Sequence, residues 1–229
     1  MVWRFQGGAP IFESMITLDI ISDPICPWCY IGKTHLDMAI QRVGRQPFDI
    51  TWRPFQLNPT MPPEGMGRRE YLEAKFGKEN ATKFYGQIED AAHAAGLNVR
   101  FDLIDRTPNT FDAHRLIRWS RSTGQQTMLV HQLFVRYFEK GEDISDRDLL
   151  LDAAVTIGMD RDVVAGLFER DADRTLVEEE EAAAREMGVS GVPTFIVASK
   201  HVLTGAQPPE LWAQVLEELA ARPDLQVEG

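Results

Sequence analysis

Cysteine is nearly absent from this chain. Of 229 residues only Cys26 and Cys29 are cysteines, and both stand in one Cys-x-x-Cys motif. Nothing is left over for a framework of structural disulfides, and a zinc site built on thiolates would need a second pair. The five histidines, His35, His93, His114, His131 and His201, show no H-x₃₋₅-H spacing that would complete one, so no metal is expected. Positive charge is also short. The 24 lysines and arginines against 35 acidic residues leave a net charge of −11, which argues against nucleic acid and anionic membranes as partners, since both require a basic surface. No apolar run approaches the roughly 18 residues of a membrane span. Residues 1–14 carry neither a continuous apolar stretch nor a small-residue cleavage site, so they read as an N-terminal extension and a candidate for disorder, not as a secretory signal. A lone cysteine pair without such a signal fits a reducing compartment, and a cytoplasmic location is expected.

What is present is concentrated around the motif Ser22-Asp23-Pro24-Ile25-Cys26-Pro27-Trp28-Cys29-Tyr30-Ile31-Gly32-Lys33. The apolar, β-branched run Ile16 to Ile21 ahead of it reads as a buried strand. Behind it Leu36, Ala39, Ile40 and Val43 keep helical spacing, and Gly44 closes the helix. Phe48 to Phe55 then alternates apolar and polar residues as far as Trp52, a second strand, which completes a βαβ unit. A dithiol at this strand-to-helix junction is placed for redox chemistry. The first cysteine faces the unpaired amides and positive dipole end of the helix, both of which favour thiolate, and the second lies one turn along, within reach to close a disulfide. Cys26 is therefore the expected nucleophile and Cys29 the resolving thiol. His35, nine residues after Cys26 and two or more turns up the helix, is too far away to activate it directly.

The stretch from Leu57 to Gly65 is turn-rich, and beyond it the apolar period is helical for more than a hundred residues. Helices are expected at Glu70–Phe76 and Ala81–Ala95, with an extended piece from Val99 to Ile104. Another follows Thr107-Pro108-Asn109, with Asn109 as N-cap, and runs to about Ser122. Val130, Leu133, Phe134 and Tyr137 give the stripe of the next, and the stretch from Met128 to Phe138 reads as core. Two more helices open at Ser145 with Asp148 and at Asp160. Thr175 with Glu178 forms a capping box for a helix ending at Gly188. Glu178 to Glu181 reads as a solvated helix face, and His114 as a solvated or locally bonded histidine. The strand pattern returns at Val192–Val197, with His201–Thr204 pairing across a turn at Ser199-Lys200, and Pro208–Ala221 is a final amphipathic helix. On its own, Pro193 at the head of this strand reads as an edge-strand start.

The pattern predicts an α/β chain: a thioredoxin-like fold with a large all-helical insertion between its second and third core strands. Residues 15–63 and 188–229 form the thioredoxin-like domain and 64–187 the insertion, behind the extension at 1–14.

Three features together carry a resemblance: the Asp23-to-Gly32 motif, Gly191-Val192-Pro193-Thr194-Phe195 opening the third strand, and the helical insertion between them. Pro54-Phe55-Gln56-Leu57-Asn58-Pro59, Pro108-Asn109-Thr110 with Ala113-His114-Arg115, and Gly205-Ala206-Gln207-Pro208-Pro209 add to it. Over roughly residues 15–222 the chain resembles the DsbA-like thioredoxin-fold oxidoreductases, specifically their FrnE-type branch. The resemblance implies an exposed Cys26, a buried Cys29 and a cis Val192–Pro193 bond beside them. A proline there has no N–H, which leaves the backbone of Val192 free to pair with an extended substrate. Candidate substrate-binding residues are thus Pro27, Trp28, Val192 and Pro193, Trp28 reading equally well as a hydrophobic cover over the helix end. Periplasmic members carry a histidine in the dipeptide where this chain has Trp28, an indole without positive charge, so their strongly oxidising potential is not carried over.

The expected activity is thiol–disulfide exchange with protein or small-molecule disulfides and dithiols. No cofactor is expected beyond a Cys26–Cys29 redox disulfide, with glutathione as a candidate co-substrate. Monomer and homodimer stay open. A second reading is a glutathione-dependent isomerase or transferase, because the branch is similar to 2-hydroxychromene-2-carboxylate isomerases and kappa-class glutathione transferases. Those typically carry a serine at the position of Cys26. A third is a holdase-like chaperone using an apolar groove in the insertion.

Overall fold

The computed structural model describes residues 15–44 and 46–221, with the backbone alone for 78–84. The expected extension at 1–14 and the tail 222–229 lie outside the described residues.

The first strand, β1 (Ile16–Ser22), sits in the middle of a four-stranded sheet. β2 (Phe48–Pro54) runs parallel to it, from Ile16 opposite Phe48 to Ser22 opposite Pro54. On its other side β5 (Thr194–Val197) runs antiparallel, Ile20 opposite Phe195, and β6 (His201–Thr204) pairs with β5 at the edge. Ile16, Leu18, Ile20 and Ile21 are all buried, as a central strand covered on both faces requires. The expected strand at Val192 begins two residues later, at Thr194, because Val192 and Pro193 form a loop with a cis peptide bond.

Helix α1 (Pro27–Val43) connects the parallel strands and ends as its sequence suggests. Gly44 adopts the left-handed conformation at φ 77°, and its amide bonds the carbonyls of Ile40 and Gln41. Between β2 and β5 come α2 (Arg68–Phe76), α3 (Lys78–Ala94), α4 (Phe111–Ser120), α5 (Gln126–Phe134), α6 (Arg147–Thr156), α7 (Arg161–Glu169) and α8 (Arg174–Glu186), and α9 (Pro209–Ala220) follows β6. The insertion is helical apart from a two-residue pairing of β3 (Met66–Gly67) with β4 (Arg106–Thr107). The piece expected to be extended, Val99–Ile104, contains instead a 3₁₀ turn at Phe101–Leu103. α5 continues into a π-helical turn at Val135–Glu139, whose Tyr137 and Phe138 are buried, whereas Met128 at the other end of that stripe is exposed.

α9 packs beside α1 on one face of the sheet and drives Trp212, fully buried, edge-on against Phe195 at 4.9 Å and Phe48 at 6.3 Å. On the opposite face Ile21, Phe55 and Ala184 of α8 form a smaller cluster. The main apolar cluster does not stop at the insertion. It joins Ile20 and Cys29 to Phe134 and Leu133 of α5, Leu116 of α4 and Leu150 of α6. The α1 helix that carries the motif is thereby held from the sheet side and from the insertion side together.

Candidate active site

Cys26 is the N-cap residue of α1, with extended backbone at φ −88° and ψ 113°, and Pro27 occupies the first helical turn, where a missing N–H costs nothing. The preceding loop is pinned by one side chain. Asp23, fully buried, accepts from the Leu57 amide at 2.7 Å and the Ile25 amide at 3.4 Å, while its carbonyl accepts from the Cys26 amide at 2.9 Å. One carboxylate thus ties the motif to the end of β2.

Both cysteines are free thiols and both are buried, Cys26 at 3% and Cys29 at 1% exposure. The burial of Cys26 corrects the expectation of an exposed nucleophile. The thiol of Cys26 donates to the Val192 carbonyl at 3.6 Å, so the strand-opening loop covers it. Pro193 is itself held from behind: its carbonyl accepts the Gly205 amide at 2.8 Å, and His35 of α1 contacts the neighbouring Gln207 carbonyl at 3.0 Å. His35 therefore braces the β6–α9 loop. Val192 and Trp28 are half-buried and packed on the core, and Pro27 is half-buried. The sequence-predicted residues Cys26, Pro27, Trp28, Cys29, Val192 and Pro193 are brought to one place, the end of the sheet where β1 enters α1.

The electrostatics separate the two thiols. Burial pushes the Cys29 thiol well above its ordinary 9.0, and the hydrogen bond and charge of Cys26 add to the rise, while the Ser22 hydroxyl and Asp23 amide pull the other way. Cys29 is thus a protonated, enclosed thiol in the resting dithiol, one turn behind the N-cap Cys26.

Other residues around the site carry no local sequence signal. His114, read as a solvated or locally bonded histidine, is buried at 3% exposure, with its Nε2 3.6 Å from Asp23 Oδ1 and without a hydrogen-bond partner among the described residues. Glu181 corrects the reading of the glutamate run. It is buried and accepts from the Gln56 amide at 3.1 Å and from Arg185 at 2.6 Å. Among the described residues no group of three His, Cys, Asp or Glu comes close enough together to hold a metal.

A thioredoxin-type sheet, a dithiol capping α1 and a cis-proline loop over it define a thioredoxin-fold dithiol protein. The family model for the DSBA-like thioredoxin domain matches residues 17–217, and the chain belongs to that family. It is similar, at 29% identity and a TM-score of 0.77, to a probable DsbA oxidoreductase from Streptomyces coelicolor, 89% of each chain being covered. The fold is also that of a 2-hydroxychromene-2-carboxylate isomerase (16% identity, TM-score 0.67, covering 91% of this chain and 97% of that one). The cytosolic disulfide reductase DsbM of Pseudomonas aeruginosa, solved with GSH, shares it as well (17% identity, TM-score 0.65, covering 90% and 99%).

Proposed function

We propose that this protein is a cytoplasmic thiol–disulfide oxidoreductase in which Cys26 is the nucleophile and Cys29 the resolving thiol. The observation that carries the reading is the Cys26–Val192 arrangement. The N-cap sulfur of α1 lies 3.6 Å from the carbonyl of the residue preceding the cis-proline, with the second thiol enclosed one turn behind it. Cys26 thiolate attacks one sulfur of a disulfide RS–SR, forming Cys26–S–S–R and expelling RS⁻. Cys29 then gives its proton to the released RS⁻ and attacks the Cys26 sulfur, forming the Cys26–Cys29 disulfide and expelling the second RS⁻. Two electrons pass from the dithiol to the substrate, and the reverse sequence oxidises a substrate dithiol. The Val192 carbonyl accepts from Cys26 only while that residue is a thiol, so forming the thiolate frees this carbonyl to receive a substrate amide. Beside it a groove of about 550 Å³ runs past Val192, Pro193 and Ile196 to the exposed Val202 and Met187, an apolar surface suited to an extended chain.

Replacing Cys29 by serine traps mixed disulfides through Cys26, visible by mass spectrometry as adducts released by reductant. Exchange activity that survives Cys26→Ser defeats the proposal.

A further inference from the structure

Thiol exchange at Cys26 and Cys29 leaves one buried ionisable pair beside them without a task. Asp23, three residues before Cys26, is fully buried, and no lysine or arginine pairs with its carboxylate among the described residues. A carboxylate in that setting is costly unless an opposite charge stands against it. The side chain placed to supply that charge comes from the helical insertion. It is His114 of α4, 3% exposed, with Nε2 3.6 Å from Asp23 Oδ1. That nitrogen has no hydrogen-bond partner among the described residues, so no other acceptor competes for its proton.

The other charged groups around α4 are committed elsewhere. On α4 itself Arg115 pairs with Asp112 and Asp171, and Arg118 with Asp173 and Glu180. Of the elements packed against it, β2 brings Arg53, held by Asp19 and Glu180, and α6 brings Asp148 and Asp152, both held by Arg161. α8 brings Glu181, held by Arg185, and His131 of α5 lies against the Tyr30 ring. The titratable groups that face the pair are Tyr137 of the π-helical turn, whose pKa the charge of Asp23 helps to raise, and the two thiols. Asp23 meets the reactive cysteine through the chain itself. Its carbonyl accepts from the Cys26 amide at 2.9 Å, and Oδ1 accepts from the Ile25 amide at 3.4 Å.

We infer that His114 is a positioning residue of the exchange reaction: it is the counter-charge to Asp23, and its proton offsets the negative charge formed when Cys26 becomes a thiolate. The inference rests on the redox reading above and adds the group that balances its charge. Pro27 and Trp28, between the cysteines, carry no cation, so the balancing charge is delivered from the insertion. Without a proton on His114, Asp23 and the thiolate are two negative charges on one short loop, and each disfavours the other. With it the pair is neutral. His114 acts only through the charge of Asp23, and no bond to sulfur forms there. Such coupling is reciprocal, so the thiolate must favour the proton on His114 by the same factor that this proton favours the thiolate.

The reciprocal half is tested without altering the site. Imidazole ¹⁵N resonances, assigned by substituting the other four histidines in turn, are followed from pH 5 to 8 in the dithiol and disulfide forms. The disulfide has no thiolate, so His114 should hold its proton about threefold or more tightly in the dithiol. The exposed His93 and His201 should titrate alike in both forms. The forward half is the pH profile of Cys26 alkylation by iodoacetamide. His114→Gln should move that profile to higher pH, lowering the rate on its rising limb by about threefold or more. His114→Lys, which keeps a cation, should recover part of the loss, whereas lost packing alone leaves the profile in place. A His114 that titrates identically in the two redox states overturns the inference and leaves the redox reading intact. A Cys26–Cys29 pair that forms no reversible disulfide overturns both. Should His114→Gln fail to fold, the wild-type titration decides alone.

Discussion

Gly32 lies directly beneath Pro193. A methyl group at its Cα would sit 3.1 Å from Pro193 Cγ, 3.3 Å from the Ala206 backbone and 3.3 Å from the Phe195 ring. Glycine in a helix interior is ordinarily about 1 kcal/mol worse than alanine, so the position runs against propensity. What it secures is the close approach of α1 to the proline loop, and with it the 3.6 Å contact between Cys26 and Val192. Gly32→Ala is expected to cost about 1–3 kcal/mol in place of the usual gain, as overpacked sites do. It should also slow exchange, because the proline loop must move away from Cys26. Urea unfolding read beside a disulfide-exchange assay checks both, and a stabilised variant with unchanged exchange would falsify the argument.

The enclosed Cys29 makes stability depend on pH in one redox state only. Its folded pKa lies above the ordinary 9.0, so between those two values the unfolded chain has released a proton that the native dithiol still holds. The sign follows: stability is retained below about pH 9 and falls as pH rises above it, by up to about 1.4 kcal/mol per pH unit. The Cys26–Cys29 disulfide has no such proton. Denaturant titrations at pH 8.0 and 9.5 should therefore show the dithiol losing stability relative to both the disulfide form and Cys29→Ala. Buried Tyr30 and Tyr137, whose pKa values are also pushed up by burial, add a similar fall at higher pH in every form. Equal pH slopes for dithiol and disulfide would count against a protonated resting Cys29.

Asp23 accepts from two backbone amides in a fully buried setting, Ile25 within the motif loop and Leu57 just after β2. Its removal leaves both donors without an acceptor, so Asp23→Ala should cost about 3 kcal/mol, whereas Asp23→Asn, which keeps one carbonyl oxygen, should cost less. The measurement is the urea midpoint at constant slope. Identical midpoints for the two variants would show that the carboxylate does not anchor the loop.

Much of this was legible in the chain because it is written in local period and punctuation. The strand at Ile16, the helix closed by Gly44, the hairpin at His201 and the helical run between them follow from spacing and turn residues alone. What escaped depends on partners distant in sequence. The capping box at Thr175 does not form: α8 already begins at Arg174, behind Asp173 at φ 58°. The carboxylate of Asp173 is instead engaged by the indole of Trp119 at 3.1 Å and by Arg118 at 3.3 Å. Tertiary contacts override a local cap here. Glu181 looks like its neighbours in the run, and its partner Gln56, 125 residues earlier, cannot be read from the local pattern. The covering of Cys26 likewise depends on a carbonyl 166 residues away.

That separation bears on synthesis. β1 is apolar along its length and has β5 as one of its two neighbours, so a ribosome that has made β1, α1 and β2 presents a strand with one ladder edge bare. The edge stays bare until about 140 further residues have emerged, and an unpaired apolar edge is a template for aggregation. During the same interval the Cys26–Cys29 motif exists without its proline loop. The nascent chain thus carries a dithiol with neither cover nor docking surface.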